Sequence, residues 1–331
     1  MKKIFGIGDV HFSSMNKWNI ETGELFLKWF EQWDPGKKED CELFFAGDIS
    51  EKDVNPGIVI LQMMRLFKLC EEKFAHTYIC MGNHEKKYFR CEEQHSLMFL
   101  NEFKSITVIE NLSHIKTGNG FNVLVMPFFK TTVEHNIYDL YNNLPQEYYD
   151  TEWDAIVGHW EIKDTVQFAD SKTSVNIDNI KTKAYFIGHI HTRVDEKYLG
   201  SVWPNNIKEN TTPLPRGIKC LNENREEEEF IPFPIFLQYN RIKLNDEIVK
   251  HDDRVEVFVI DDFNLSKAKE LYKDVHFIPG TVKTKKVESI ESDDTVLDFT
   301  SYIEIFNKMI DDLNLKISRP IYSKVLKIIG G

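Results

Sequence analysis

A chain of 331 residues, 42% hydrophobic and 28% charged, has the make-up of a folded globular protein with room for one large domain and a smaller one. Lys+Arg 41 against Asp+Glu 53 leaves a net charge of −12, which excludes nucleic-acid binding by bulk positive charge and leaves only a local site or a partner for that role. Aromatic residues at 13% exclude disorder on the scale of the chain.

From Lys3 to about Gly200, short apolar runs alternate with helical patterns. KIFGIGD, CELFFAGD, HTYICMGN, FNVLVMPF, WDAIVGH and AYFIGH are apolar almost throughout and rich in Val, Ile, Phe and Tyr. They predict strands covered on both faces. Glu24–Gln32 and Gly57–Lys73 carry apolar residues at spacings of three and four, which predicts amphipathic helices. Such alternation indicates an α/β layered sheet, with ligand sites beyond the carboxyl ends of its strands.

Residues 204–217, PNNIKENTTPLPRG, hold three prolines and little apolar matter, and read as a linker. A second unit follows over 218–287, with RVEVFVIDD, NLSKAKELYKDV and HFIPG as strand, helix and strand. The EEEE run at 226–229 reads as a solvated loop. In 288–331, Val296, Phe299, Ile303, Phe306, Ile310 and Leu313 form one stripe behind Asp293 and Asp294, the mark of an amphipathic helix that either packs on the second unit or docks on a partner. The domains are therefore expected at 1–203, 218–287 and 288–331.

Cys41, Cys70, Cys80, Cys91 and Cys220 are odd in number and form no C-x-x-C pair, the usage of a reducing compartment. The apolar run at the start stops at Asp9, too early for a secretory leader, and no apolar stretch approaches the ~20 residues of a membrane span. A cytoplasmic protein without a membrane partner is expected.

The chemistry lies in five short pieces: Asp9-Val-His11, Gly47-Asp48, Gly82-Asn83-His84-Glu85, Gly158-His159 and Gly188-His189-Ile190-His191. Each follows a strand-like run. Imidazole, carboxylate and amide oxygen together suit divalent metals of borderline hardness. In Asp9-x-His11 and His189-x-His191, a spacing of two at a strand end would aim both side chains to one side. Asp9, His11, Asp48, Asn83, His159, His189 and His191 make seven candidate ligands, too many for one four-coordinate ion and suited to a pair of ions sharing a carboxylate. His84, beside Asn83 and surplus to that set, is placed to protonate a leaving oxygen or stabilise charge on a phosphoryl group. Taken singly, a Gly-Asp or Gly-His is more often a turn; the ordered set of five carries the reading. The other histidines, His76, His95, His114, His135, His251 and His276, read as structural or surface residues.

DVH, GD, GNHE, GH and GHIH in this order resemble the calcineurin-like metallophosphoesterase superfamily over about residues 3–200. The resemblance implies a two-sheet α/β/β/α sandwich, here with a smaller α+β capping domain and a C-terminal helical segment. It implies that Asp9, His11, Asp48 and His191 hold one ion, that Asp48, Asn83, His159 and His189 hold the other with Asp48 bridging, and that His84 is catalytic. Phosphodiester hydrolysis by a metal-bridging hydroxide follows from that likeness, with manganese the expected ion and magnesium the alternative.

Protein phosphatases of the superfamily carry Asp-Arg-Gly after the second motif, whereas this chain reads GDISEKD. The stretch from Gly188 to Leu221 instead resembles DNA-repair nuclease subunits of the SbcD type, in the compact form found in bacteriophages, with Gly200-Ser201 and Arg216-Gly217 as matching points. This likeness implies an exonuclease and endonuclease in DNA end processing, repair or recombination. It also implies an SMC-like ATPase partner of the SbcC type and a homodimer of this subunit within a heterotetramer, in host cytoplasm for a phage protein. Cellular relatives often have a histidine three residues after the second-motif aspartate; here that position is Glu51. Lys86, Lys87 and Arg90 are candidates for contact with the DNA backbone. Two other readings are a small-molecule or cyclic-nucleotide phosphodiesterase and a non-catalytic scaffold binding DNA ends for the ATPase.

Overall fold

The computed structural model describes residues 1–51, 57–85, 95–128, 137–165, 174–261, 265–272 and 275–279. Its elements run β1 (Lys3–Ile7), α1 (Lys17–Gln32), β2 (Cys41–Phe45), α2 (Gly57–Lys73), β3 (His76–Cys80), β4 (Ile106–Ile109), β5 (Ser113–Lys116), β6 (Asn122–Met126), α3 (Ile137–Asn142), α4 (Gln146–Asp150), β7 (Trp153–His159), β8 (Thr182–Gly188), β9 (Gly217–Asn222), β10 (Glu227–Pro232), β11 (Leu237–Lys243), β12 (Val255–Asp261), α5 (Leu265–Leu271) and β13 (His276–Pro279). The six apolar runs are β1, β2, β3, β6, β7 and β8, and α2 has the bounds its periodicity predicts. Helix α1 begins at Lys17 rather than Glu24. Its first two turns are missed because Trp18 does not belong to the stripe facing the first sheet; it lies beside His276 of β13, ring centroids 5.6 Å apart.

A six-stranded sheet in the order β10-β9-β1-β2-β3-β4 faces a four-stranded sheet in the order β5-β6-β7-β8. Strand period sorts the residues between two cores. Ile4, Phe44, Tyr78 and Cys80 point between the sheets against Val123, Val125, Ala155, Val157 and Phe186. Phe5, Ile7, Leu43, Phe45 and Ile79 point the other way, onto α1 and α2. On the far side of the second sheet, Leu124, Met126, Ile156 and Ile187 pack with Ile137 and Tyr141 of α3. This is the α/β/β/α sandwich. The central strands are apolar almost throughout because each contributes to two cores at once; the buried exceptions include Glu42 of β2 and Thr77 of β3.

Residues 217–232 depart from the expected domain division. Gly217–Asn222 and Glu227–Pro232 form an antiparallel hairpin that extends the first sheet beside β1, rather than opening the second unit. Ile218 and Cys220 join the helix-side core and Leu221 the inter-sheet core, so leaving this hairpin out would uncover both faces of the edge of β1. The EEEE run enters edge strand β10 with a register shift between Glu227 and Glu229 rather than forming a loop. Acidic residues and a bulge on an edge strand discourage pairing with other chains.

The remainder of the second unit is the parallel sheet β11-β12-β13 with α5. It does not build a separate core on its inner side. Phe236, Leu237, Tyr239, Val255, Val257 and Val259 join the cluster that contains α1, α2 and the first sheet. Its outer side closes over Ile260, Ala268 and Tyr272. The segment 288–331 and the basic residues Lys86, Lys87 and Arg90 lie outside the described residues. No helix among the described residues is long and apolar enough to cross a membrane.

Candidate metal centre

All five short pieces arrive at one end of the sandwich, at the carboxyl ends of β1, β2 and β3 in one sheet and β7 and β8 in the other. The two-residue spacings work differently from simple strand alternation. Three of the six non-glycine residues with positive φ among the described residues are His11 (53°), Asp48 (48°) and His189 (79°). A left-handed turn at each of these costs of order 1–3 kcal/mol and is retained where the surroundings impose it. Those turns swing the side chains inward: the Asp48 carbonyl accepts the Val10 and His11 N–H groups at 3.0 and 2.9 Å. Gly47 (φ 98°) and Gly82 complete the fit, since a Cβ would lie 2.4 Å from His159 Nδ1 at the first and 2.1 Å from Asp48 Oδ1 at the second.

The donor atoms gather in two groups that share Asp48. In one, His11 Nε2 lies 2.9 Å from His191 Nε2 and 3.8 Å from Asp48 Oδ2, with Asp9 beside them. In the other, His159 Nε2 lies 2.9 Å from Asn83 Oδ1, 3.1 Å from Asp48 Oδ2 and 3.3 Å from His189 Nδ1. Asn83 Oδ1 is also 3.1 Å from His189 Nδ1. His159 Nδ1 donates to the Ala46 carbonyl at 2.7 Å, which fixes Nε2 as the nitrogen facing Asn83 Oδ1 and Asp48 Oδ2. Acceptors converging in this way on buried ground are suited to cations. Asp9 and Asp48 are fully buried or nearly so. The residues present therefore fit a pair of divalent ions.

Electrostatics agree with this arrangement. Burial works to raise the pKa of Asp48, but His159, His11 and His84 outweigh it and hold the carboxylate far below its usual range. Burial works to lower His159, yet Asp48 and Asp9 hold its pKa well above that of a free imidazole. In the absence of a cation, His159 carries the proton that offsets the aspartates. His189 is pushed down to about 4 by burial and by His159, so it is a neutral donor at pH 7.

His84 stands at the rim with its side chain one-fifth exposed. Its backbone N–H donates to Asp48 Oδ1 at 2.9 Å, and its Nδ1 donates to the Glu51 carbonyl. The bond at Nδ1 directs Nε2 inward, 3.8 Å from Asp48 Oδ2. This orientation is what a proton donor to an oxygen held between the two groups requires.

Several contributors escaped the sequence reading. Glu85 is fully buried and accepts N–H groups from Gly82 (2.9 Å), Ile49 (2.7 Å) and Asp48 (3.1 Å), clamping the β2 and β3 loops together. Burial and the charge on Asp48 push its pKa up to about 8. Its adjacency to His84 in Gly-Asn-His-Glu was the available signal. Glu51 and Glu209 approach the outer nitrogens of His11 and His191, and nothing in the 204–217 run marked Glu209. His76, His95, His114, His251 and His276 lie outside the centre, partnered for example with Thr107, Glu110, Glu256 and Glu21. His135 is outside the described residues.

Residues 2–193 match the calcineurin-like phosphoesterase family, and the chain belongs to it. Metal-dependent hydrolysis of phosphoesters is the chemistry of that family. No curated protein matches the chain.

Proposed function

We propose that this protein is a two-metal phosphodiesterase acting on DNA, a nuclease subunit of the SbcD kind that processes DNA ends together with an SMC-like ATPase. The observation that carries the hydrolytic part is the convergence of Asp9, His11, Asp48, Asn83, His159, His189 and His191 on one end of the sandwich, with His84 Nε2 aimed at the shared aspartate. Asp9, His11, Asp48 and His191 would hold one cation, and Asp48, Asn83, His159 and His189 the other. When bound, such a pair supplies positive charge to a phosphate and makes water a competent nucleophile near neutral pH. His84, oriented by the Glu51 carbonyl, delivers a proton to the departing sugar oxygen.

The DNA substrate and the ATPase rest on the likeness between residues 188–221 and the SbcD type. Two features support them. Gly200, at φ 74°, turns the chain so that Ser201 N–H meets the His191 carbonyl at 3.0 Å, and Arg216 reaches the Glu209 carbonyl. The stretch carrying the likeness thus forms part of the frame around the centre. The apolar stripe from Val296 to Leu313 is the segment proposed to dock on the ATPase coiled coil. Manganese is the proposed ion, since mixed imidazole, carboxylate and amide sites suit it.

The test is cleavage of linear duplex DNA, single-stranded circles and a chromogenic phosphodiester by the purified chain with Mn²⁺, alone and with the cognate ATPase. Wild-type protein is expected to cut DNA, with Asp48→Ala inactive and His84→Ala reduced by about 10²–10⁴-fold. Hydrolysis of the chromogenic ester alone would favour a small-molecule phosphodiesterase. Inactivity on every substrate with the ATPase present would favour a DNA-end scaffold.

A further inference from the structure

The two groups of donors differ in what stands behind them. In the first, each imidazole of the facing His11–His191 pair has a carboxylate at its outer nitrogen. Glu51 Oε2 lies 2.9 Å from His11 Nδ1, a buried nitrogen with no hydrogen bond of good angle, and Glu209 Oε2 lies 3.3 Å from His191 Nδ1. In the second, no imidazole has a carboxylate of its own within hydrogen-bond reach of its outer nitrogen. His159 Nδ1 donates to a neutral carbonyl, that of Ala46. Asp9 Oδ1 approaches the same nitrogen at 3.3 Å, but Asp9 also accepts the His189 N–H and belongs to the first group. His189 presents Nδ1 inward, and its outer Nε2 is 4.0 Å from Glu161 Oε1, beyond hydrogen-bond reach. The remaining donor, Asn83, is uncharged.

A carboxylate behind a ligating imidazole fixes the ring and raises its basicity, and removal of such partners weakens metal binding by about 10–100-fold. We infer that Glu51 and Glu209 are positioning residues that make the His11–His191 half of the centre its tight cation site, and that the Asn83–His159–His189 half fills second and more weakly. This rests on the proposed two-metal reading and deepens it. Glu51 thereby has a use that differs from contact with substrate: its carboxylate serves His11, while its carbonyl serves His84. Glu209 comes from the segment joining β8 of the second sheet to β9 of the first. It is held there by the Asn205 N–H at 2.8 Å, and the Asn205 side-chain amide lies 3.2 Å from the same His191 nitrogen. Asn210 in turn bonds both backbone groups of Tyr239 in β11, accepting its N–H at 2.9 Å and donating to its carbonyl at 2.6 Å. The second unit is therefore tied to the tight site through that segment.

The experiment is a titration of the chelator-stripped full chain with Mn²⁺ alone, bound ion counted by equilibrium dialysis and free ion by electron paramagnetic resonance. Wild-type protein should show one tight and one weaker site. Glu51→Gln and Glu209→Gln should each weaken the tight site by about 10–100-fold and leave the weaker one in place, while Asn83→Ala should do the opposite. Circular dichroism checks folding, and Glu51→Gln, at a side chain 29% exposed, decides the matter if Glu209→Gln does not fold. Two equal sites in the wild-type protein, or glutamine variants that bind as wild type or weaken the other site, would overturn the inference. Unequal sites in a protein that leaves DNA uncut would remove the nuclease reading and leave this inference standing. Equal sites in a protein that cuts DNA would do the reverse.

Discussion

Replacing Phe26 by alanine tests whether the second unit and the sandwich are one folding body. Phe26 of α1 is fully buried, and its ring centroid lies 5.7 Å from Phe30, 5.8 Å from Trp203, 6.2 Å from Phe12, and 5.7 and 6.2 Å from Phe236 and Phe233. Those rings belong to the helix, to the loop after β8, to the turn after His11 and to the lead-in to β11. A buried Phe→Ala change costs about 3–5 kcal/mol, as lost transfer energy plus the residual cavity. The upper half of that range, about 4–5 kcal/mol, is expected here, because the rings are anchored by four separate parts of the fold and cannot fall into the gap. Against a typical total of about 5–15 kcal/mol this is a large fraction. Urea unfolding followed by far-ultraviolet circular dichroism and tryptophan fluorescence measures it. Of the tryptophans, Trp18, Trp29, Trp33 and Trp203 line this shared core, while Trp153 and Trp160 lie in the cluster on the far side of the second sheet. Both probes should move together to lower urea. A loss under about 1 kcal/mol, or an early transition confined to part of the signal, would refute the single-core argument.

Gly82→Ala places a methyl group on Asp48, 2.1 Å from Oδ1 and 2.4 Å from the backbone nitrogen, so Asp48 must shift. Overpacking of this kind costs about 1–3 kcal/mol. Because Asp48 faces both donor groups, Mn²⁺ binding should weaken at both sites in dialysis, unlike the one-sided losses of Glu51→Gln and Glu209→Gln; binding equal to wild type would count against the shared aspartate. Cation binding should also release protons. His159 is held protonated by Asp48 and Asp9, and a cation must displace that proton, so affinity rises with pH, by about tenfold per pH unit for one proton displaced. Adding Mn²⁺ to weakly buffered protein should therefore acidify the solution; affinity that is flat from about pH 6 to 8 would contradict it.

The strands were legible where burial on both faces left no room for polar residues. KIFGI and CELFF show it best, since each alternates between two cores; Lys3 opens the first, and the one buried polar side chain, Glu42, is satisfied by the Gly118 and Asn119 N–H groups. Helix α2 was legible for the related reason that one stripe meets one sheet. The first two turns of α1 were not, because Trp18 turns toward β13 from far along the chain, and no local period marks a face presented to a distant partner. The hairpin β9–β10 was hidden by its setting. Prolines before it and glutamates within it are the ordinary signs of a boundary and a loop, yet an edge strand tolerates both.

At the centre, the inner donors were legible because their types and order are restrictive: aspartate, histidine and asparagine after glycine, at the ends of apolar runs. The outer partners were not, because what they do depends on approach rather than type. Ala46 contributes a carbonyl, which any residue has, and Glu209 is one of many glutamates. His11 and His189 are brought inward by left-handed turns rather than by the strand alternation that the two-residue spacing suggests. Such turns persist only if the contacts they create outweigh their cost, and here those contacts include the Asp48 carbonyl bonds to Val10 and His11 and the Asp9 bonds to the His189 N–H. The backbone at the centre is therefore braced by the same aspartates that supply its charge, so substitution of Asp9 or Asp48 disturbs the frame together with the donor set.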